Sequence, residues 1–588
     1  MDTRRNVLLM VFGLSLIVLW GRWQDYNNRN AAPRPPITAP APAPIPTPGT
    51  PSAAPGGAPA PAATATAPGQ PPEATGGVVS SGERIQIQTD VIHAEFDPLG
   101  ASLVRVELPK EEQPPDWTEQ GLTKLLHLSG WLHSMGFGHA RGESDVVLLE
   151  TTAQRTYEAR SGLVGGSPQD PFPNHRATRF EVSSGPRTLE PGQDTLTVRF
   201  EAEAGGVRLI KTFTFRRGHY DIAVSHEVTN VGSAAVTPEL YLELVRDGGK
   251  AVDESSFARS YTGPAFYTDA GKYKKISFED IEKRKSDDAL PKPADDGWLA
   301  VVQHYFVAAY VPAPGVRRAF YADTLKPGEL YRVGARVTLP TLAPGASSSE
   351  QATLYVGPQE QKTLEAIAPG LDLVADYGSL TFIAKPLFAL LGTFHWAVGN
   401  WGWSIVLLTL LIKGLFYPLS AASYKSMAKM KELQPRMQHL KEQYGEDRQK
   451  LQLAMMEVYK KEKINPLMGC LPIAVQIPVF LALYWVLLAS VEMRNAPWIL
   501  WIHDLAAPDP WFVLPVVMMA SMWIQYKLNP TPPDPVQARM MAIMPFVFGA
   551  MFFFFPAGLV LYWVVNNALS ILQQWRITQV VARAKRAG

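Results

Sequence analysis

Residues 399–419 read GNWGWSIVLLTLLIKGLFYPL, and from Trp401 to Leu419 the stretch carries no charge except Lys413. An apolar run of this length is the mark of a helix that crosses a membrane. At 1.5 Å per residue, Lys413 lies roughly 18 Å along the span from Trp401. That is past the midplane of a hydrocarbon core about 30 Å thick. A cation near that depth costs about 2.5–3.5 kcal/mol on insertion scales. Position alone leaves two explanations open: a stem that snorkels to the near interface, or a charge held in a bundle interior or watery cavity.

Further apolar stretches at about 467–490, 510–527, 540–555 and 558–575 read as spans. Upstream, Arg4 and Arg5 precede an apolar run from Val7 to Trp20. Leu19, Trp20, Arg22 and Trp23 make a poor cleavage site, so residues 1–24 read as an uncleaved anchor and the total becomes six spans. Lysines and arginines gather between Ser420 and Asn465 and in the tail 576–588, which assigns both, with the N-terminus, to the cytoplasm. The connection from Glu492 to Asp509, with Trp498 and Trp501 as interface anchors, then faces outward.

The average composition, 46% hydrophobic with a net charge of +1 over 588 residues, mixes a polar half with an apolar half. Residues 25–80 are dominated by Ala, Pro, Thr and Gly and form an extended tether that cannot build a core. From 81 to 365, alternation in Ile85 and Ile87, in Leu196, Val198 and Phe200, and from Tyr220 to Val228 predicts a large all-β sandwich outside the membrane. Trp298–Pro312 is nearly continuous in apolar residues and reads as one central buried strand. Within it, His304 is expected to be a satisfied core residue. Residues 366–400 read as a linker and an amphipathic helix in the outer interface. The single cysteine, Cys470, is a packing residue, so the exported domain relies on its core rather than disulfides.

No Walker loop, HExxH, CxxC pair or nucleophile elbow is present, so the sequence points to no cofactor, metal or covalent chemistry. Two constellations remain. Between 420 and 465, Met427, Met430, Met437 and Leu440, then Leu451, Met455, Met456, Val458 and Tyr459, recur near helical spacing around a break at Gly445. They predict a helical hairpin kinked at Pro435, its thioethers either packing the two arms or offering a soft surface to varied apolar segments. Its lysines suit anionic lipid or ribosomal RNA without reading any nucleic-acid sequence. In the spans, Thr409, Lys413, Gln476, Tyr562, Trp563, Asn567, Ser570 and Gln574 are polar or polar-tipped. Such groups should converge, either around a hydrated pocket at Lys413 or in interhelical hydrogen bonds without one.

The ordered motifs GNWGWSI (399–405), YPL (417–419), SMAKMKELQP (426–435), NPLMGCLP (465–472), QIPVFLALY (476–484), WIHDL (501–505) and FPAGLVLYW (555–563) resemble the YidC insertases of Gram-negative bacteria, in the YidC/Oxa/Alb family. The resemblance covers nearly all of the chain except the tether. It implies a membrane α-helical bundle with a five-helix insertase core at 401–575, plus a periplasmic β-supersandwich related in fold to sugar-modifying enzymes. It implies a groove open to cytoplasm and lipid, with Lys413 where the family usually carries arginine and Trp563 where tyrosine is frequent. The implied partners are nascent membrane proteins, the Sec translocon with SecDF, the ribosome or signal recognition particle pathway, and the bilayer. A solute transporter with a periplasmic sensing domain is the alternative; it predicts inverted repeats, and none is evident in the sequence. A carbohydrate-active sandwich on an anchor would need paired carboxylates.

Overall fold

The computed structural model of the chain describes residues 83–112, 116–134, 145–249, 261–283, 289–326, 328–444, 447–462, 471–529 and 535–587. The anchor at 1–24, the tether at 25–80 and Cys470 lie outside the described residues.

The polar half is β-rich. In chain order its strands are β1 (Ile85–Gln88), β2 (His93–Asp97), β3 (Ser102–Glu112), β4 (Asp145–Thr151), β5 (Thr156–Val164), β6 (Glu181–Val182), β7 (Thr195–Ala204), β8 (Val207–Arg216), β9 (Asp221–Asn230), β10 (Glu239–Asp247), β11 (Gly263–Tyr267), β12 (Lys274–Lys275), β13 (Trp298–Val302), β14 (Phe306–Pro312), β15 (Arg318–Lys326), β16 (Leu330–Thr338) and β17 (Ser347–Pro358). They form an eight-stranded sheet, β1-β2-β3-β4-β5-β10-β16-β15, and a nine-stranded sheet, β12-β11-β13-β14-β17-β9-β8-β7-β6. The sheets meet face to face through one continuous core, in which Phe96 of the first packs on Phe200 and Phe213 of the second with ring centroids 5.1 and 4.7 Å away. In β7 the alternation works as read: Leu196, Val198 and Phe200 point inward, Thr195, Thr197 and Arg199 outward. The β7–β8 turn is Gly205–Gly206, both at positive φ (59° and 73°), which a two-residue hairpin loop requires.

The stretch 298–312 is not one strand. Gln303 N donates to Phe306 O at 2.9 Å, and β13 turns back into β14 with Val302 opposite Val307. The turn is invisible in hydropathy because both arms are buried on both faces. Leu299, Val301 and Ala308 enter the inter-sheet core, while Trp298, Ala300, Val302 and Ala309 pack under the segment Leu364–Val374. His304, at the turn, is buried and satisfied, with Nε2 3.1 Å from Leu488 O in the helical half. Nearby, the Arg494 guanidinium sits 5.1 Å from the Phe306 ring centroid and 3.9 Å from Glu111. Tyr377 and Ser490 hydroxyls are 3.3 Å apart. These contacts seat the β domain on the connection that follows residue 489.

Two short helices, α1 (Gly121–Leu125) and α2 (Ser129–Ser134), lie between β3 and β4. The C-terminal part is helical: α3 (Gln361–Ile367), α4 (Thr381–Val398), α5 (Trp401–Leu415), α6 (Tyr417–Glu432), α7 (Gln434–Tyr444), α8 (Arg448–Lys461), α9 (Leu471–Ala489), α10 (Val513–Leu528), α11 (Pro535–Met551) and α12 (Ala557–Ala587). Each of the five stretches read as core spans overlaps a helix, but the first, 401–419, is broken at Phe416 between α5 and α6, and 467–470 lie outside the described residues. Asn400 starts α5 by accepting from Trp403 N at 3.0 Å. Pro418, in the first turn of α6, stands at a 66° bend between α5 and α6. Among the described residues, α4 alone is an unbroken helix long and apolar enough to cross a membrane, α5 with α6 is a bent pair of that kind, and Val475–Ala489, Val513–Leu528 and Ala538–Phe554 are shorter apolar stretches. Both ends of α4 nevertheless meet one connection. The Tyr377–Ser490 contact precedes it, and Asn400 Nδ2 at its far end donates to Pro497 O and Trp498 O at 3.0 and 3.2 Å. One stripe, Ala384, Leu387 and Leu391, is buried, while Phe382 and Trp396 are exposed.

Candidate functional site: a buried lysine in the helical bundle

Lys413 occupies the last turn of α5 and is only 7% exposed. Its Nζ donates to Ser570 Oγ of α12 at 2.8 Å. Ser570 in turn donates to Asn566 O, one turn back on the same helix, at 2.8 Å. Gln476 of α9 donates to Asn566 Oδ1 at 2.6 Å. Three helices therefore share one polar ladder, as polar groups set among apolar helices do. Beside it lies a shallow cleft lined by Ile412, Lys413, Phe416, Leu419, Ser420 and Gln476, with room for about one water molecule. The site presents one positive charge against apolar walls, a setting in which a carboxylate gains more than it would in water. A lysine that snorkelled to the interface would not be sealed against Ser570 in this way.

The other residues singled out in the sequence divide. Gln476 lines the cleft. Thr409 is buried but donates to Ile405 O of its own helix at 2.7 Å. Asn567 faces away from Lys413: it donates to Ser521 Oγ and Met518 Sδ of α10 at 3.0 and 3.4 Å, so it ties two helices together. Tyr562 and Trp563 pack on Phe480, with centroids 6.2 and 4.7 Å away, and build the bundle wall. Gln574 reaches Asn529 at 3.1 Å. Ser570, the partner of Lys413, and Asn566, the partner of Gln476, stand four apart on one helix face. Which of the adjacent Asn566 and Asn567 joins this ladder was not legible.

The described residues between 417 and 462 form α6, α7 and α8, with the first break at Leu433, two residues before Pro435; Gly445 lies outside the described residues. α7 packs against α8, and Arg436 approaches Glu462 at 3.4 Å. Met437 is buried, Met427, Met430 and Met455 are half-buried, and Met456 is exposed, as is Leu453.

In the β domain the buried charges are enclosed. Lys211 Nζ donates to Gly100 O and Ser161 O at 2.6 and 2.7 Å, and His226 Nε2 lies 2.9 Å from Ser161 Oγ. Burial pushes the Lys211 ammonium down to about 7 and the His226 imidazole down to about 3. The carboxylates Glu158 and Glu243 flank Arg160, and Glu243 is fully buried. Lys211 and His226, on the nine-stranded sheet, tie it to Gly100 and Ser161 of the other side, while the Arg160 cluster lies within the eight-stranded sheet.

Comparison with known proteins agrees with this architecture. The family model described as 60Kd inner membrane protein matches residues 393–585, and that of the YidC periplasmic domain matches 138–390. The membrane protein insertase YidC of Cupriavidus metallidurans is 51% identical over 588 residues, covering 100% of this chain and 99% of its own. That of Bordetella avium is 52% identical over 586 residues, covering 99% of each. A solved active YidC insertase covers 84% of this chain and 92% of its own at 17% identity with a TM-score of 0.37, a likeness too low to add to the assignment. On the full-length identity and the two family models together, the chain belongs to the YidC family of membrane protein insertases.

Proposed function

We propose that Lys413 is the electrostatic attractor of an insertase groove, and that the protein uses it to bring polar and acidic client segments into the inner membrane. The observation that carries this reading is a lysine enclosed in the helical bundle, held by Ser570 and walled by apolar side chains on one side and Gln476 on another. The chain is an inner-membrane insertase with a mostly β periplasmic domain. A nascent hydrophobic segment first meets the methionine hairpin at Met427, Met430, Met455 and Met456, whose thioethers adapt to irregular partners. Its acidic N-terminal tail then enters a hydrated groove at Lys413, shortening the polar tail's path through hydrocarbon. Partition of the apolar segment into lipid supplies the free energy. No covalent step is required.

In this reading the bundle at 401–575 contributes five spans, the anchor at 1–24 a sixth, and both termini are cytoplasmic. The helix α4 lies in the outer interface; its single buried stripe and the attachment of both its ends to one connection support that placement over a crossing. The Sec translocon with SecDF, and the ribosome or signal recognition particle pathway, are the proposed partners. Photo-crosslinkers at positions 413, 430 and 563 in the full chain, challenged with a ribosome-stalled client, test the path. Adducts from all three support it. Adducts confined to lipid-facing positions such as Val516, with none from 413, would refute it.

A further inference from the structure

The described part of the β3–β4 connection carries an exposed apolar tip. Its base is well built. Asp116 accepts from Thr118 N at 2.9 Å, Thr123 Oγ1 donates to Trp117 O at 3.0 Å, and Trp117, Thr118, Thr123 and Leu132 are buried. Its tip is open: Leu125, Leu126 and Trp131 are 66%, 55% and 58% exposed. Three large apolar side chains within seven residues make an unusual surface for a domain in water.

The location of this tip explains it. Leu122 N donates to Pro510 O at 2.9 Å, and the Trp117 ring stands edge-on to Phe512 at 6.4 Å. Gly121, at φ 50°, permits the approach, because a Cβ there would lie 2.4 Å from Pro510 O. Pro510 and Phe512 immediately precede α10, whose first turns expose Val513, Val516 and Val517. Trp511, between them, is 47% exposed, and tryptophan at a span's end marks the headgroup level. One helical turn separates Leu122 from Leu125 and Leu126, about 5 Å along the axis. The tip is therefore continuous with the lipid-facing surface of α10.

We propose that residues 121–131 are a bilayer-contact element: Leu125, Leu126 and Trp131 insert into the outer leaflet of the same membrane the helices cross, with Lys124 beside the headgroup phosphates. A β domain already seated on the connection after residue 489 and, through Leu122, on the segment before α10 thereby gains a lipid contact that bears on its height and tilt over the groove. The inference rests on α10 spanning the membrane.

The test uses the full chain in lipid nanodiscs, in a Cys470→Ser background, with an environment-sensitive fluorophore attached through Leu126→Cys, Val516→Cys or Ser184→Cys. Lipids carrying a nitroxide near the glycerol end of the acyl chain should quench the label at 126 at least twofold and leave that at 184 unchanged, while aqueous iodide should show the opposite order. Quenching at 516 but not at 126 overturns the proposal and leaves the span intact. Quenching at neither removes both. Shielding of 126 from iodide that grows with protein concentration and ignores the lipid nitroxide assigns the tip to a second copy of the chain, and equally overturns it. Trp131→Glu and Leu126→Glu in otherwise folded protein should abolish the lipid quenching of a label at Leu125→Cys.

Discussion

Replacing Lys413 by methionine separates the charge from the fold. The substitution removes an ammonium whose burial costs about 2.5–3.5 kcal/mol and loses one charged hydrogen bond, worth about 1.5–3 kcal/mol. Ser570 keeps its own bond to Asn566 O at 2.8 Å, so no polar group is stranded. Thermal stability in nanodiscs should then stay within about 2 kcal/mol of the parent, on the side of stabilisation. Function should change far more. A client carboxylate brought up to the cleft beside Nζ, about 5 Å from the charge, gains about 3 kcal/mol at an effective dielectric of about 20. That is about a hundredfold in occupancy. In proteoliposomes, protease protection of a short client with an acidic N-terminal tail should fall at least tenfold with Lys413→Met, recover with Lys413→Arg, and change less than twofold when the client's tail is neutralised. Equal losses for acidic and neutral tails, or no loss for either, would refute the electrostatic role.

Three further outcomes follow from the packing. The buried His226 stays neutral down to about 3 in the folded domain against an ordinary 6.5, so the unfolded chain binds the extra proton between those values. The His226 contribution is complete above pH 6.5 and falls as the pH drops toward 3, by about 2 kcal/mol at pH 5. In calorimetry this lowers the melting temperature of a domain of this size by about 4–8 °C. His226→Gln should flatten that slope, and Lys211, charged in both states below about 7, adds nothing to it. Asp509 accepts from Trp511 N, Leu514 N and Trp501 Nε1 at 2.9, 2.8 and 3.0 Å; Asp509→Ala should cost about 2–3 kcal/mol and speed limited proteolysis of the connection before α10. Gly402→Ala should destabilise by about 1–3 kcal/mol, because its Cβ would lie 2.3 Å from the Trp498 ring. A rise in melting temperature, as helix propensity alone predicts, would show that the ring yields.

Much of this protein was legible as a pattern. Period-two burial in β7 and β9, apolar runs at each core helix and the lone Lys413 in α5 follow from local hydropathy, because each element needs one face or all faces out of water. The hairpin followed from the spacing of its methionines. What failed was any reading that needed a neighbour. Trp298–Val302 and Phe306–Pro312 read as one strand because the sheet on one side and the segment Leu364–Val374 on the other bury both arms equally, so hydropathy never dips at the turn. Thr409, four residues before Lys413, bonds to its own helix, and Asn567 turns to α10 while Asn566 turns to Gln476. Adjacent residues on a helix point about 100° apart, so rotation of α12 alone decides which asparagine joins the ladder. Local hydropathy is enough to put a cation deep in an apolar helix; packing alone makes Ser570 its partner, sets Gln476 beside it, and rests the β domain on the connection beside Leu488. A hydrogen bond between residues 157 positions apart is a property of packed surfaces, and no local pattern records it.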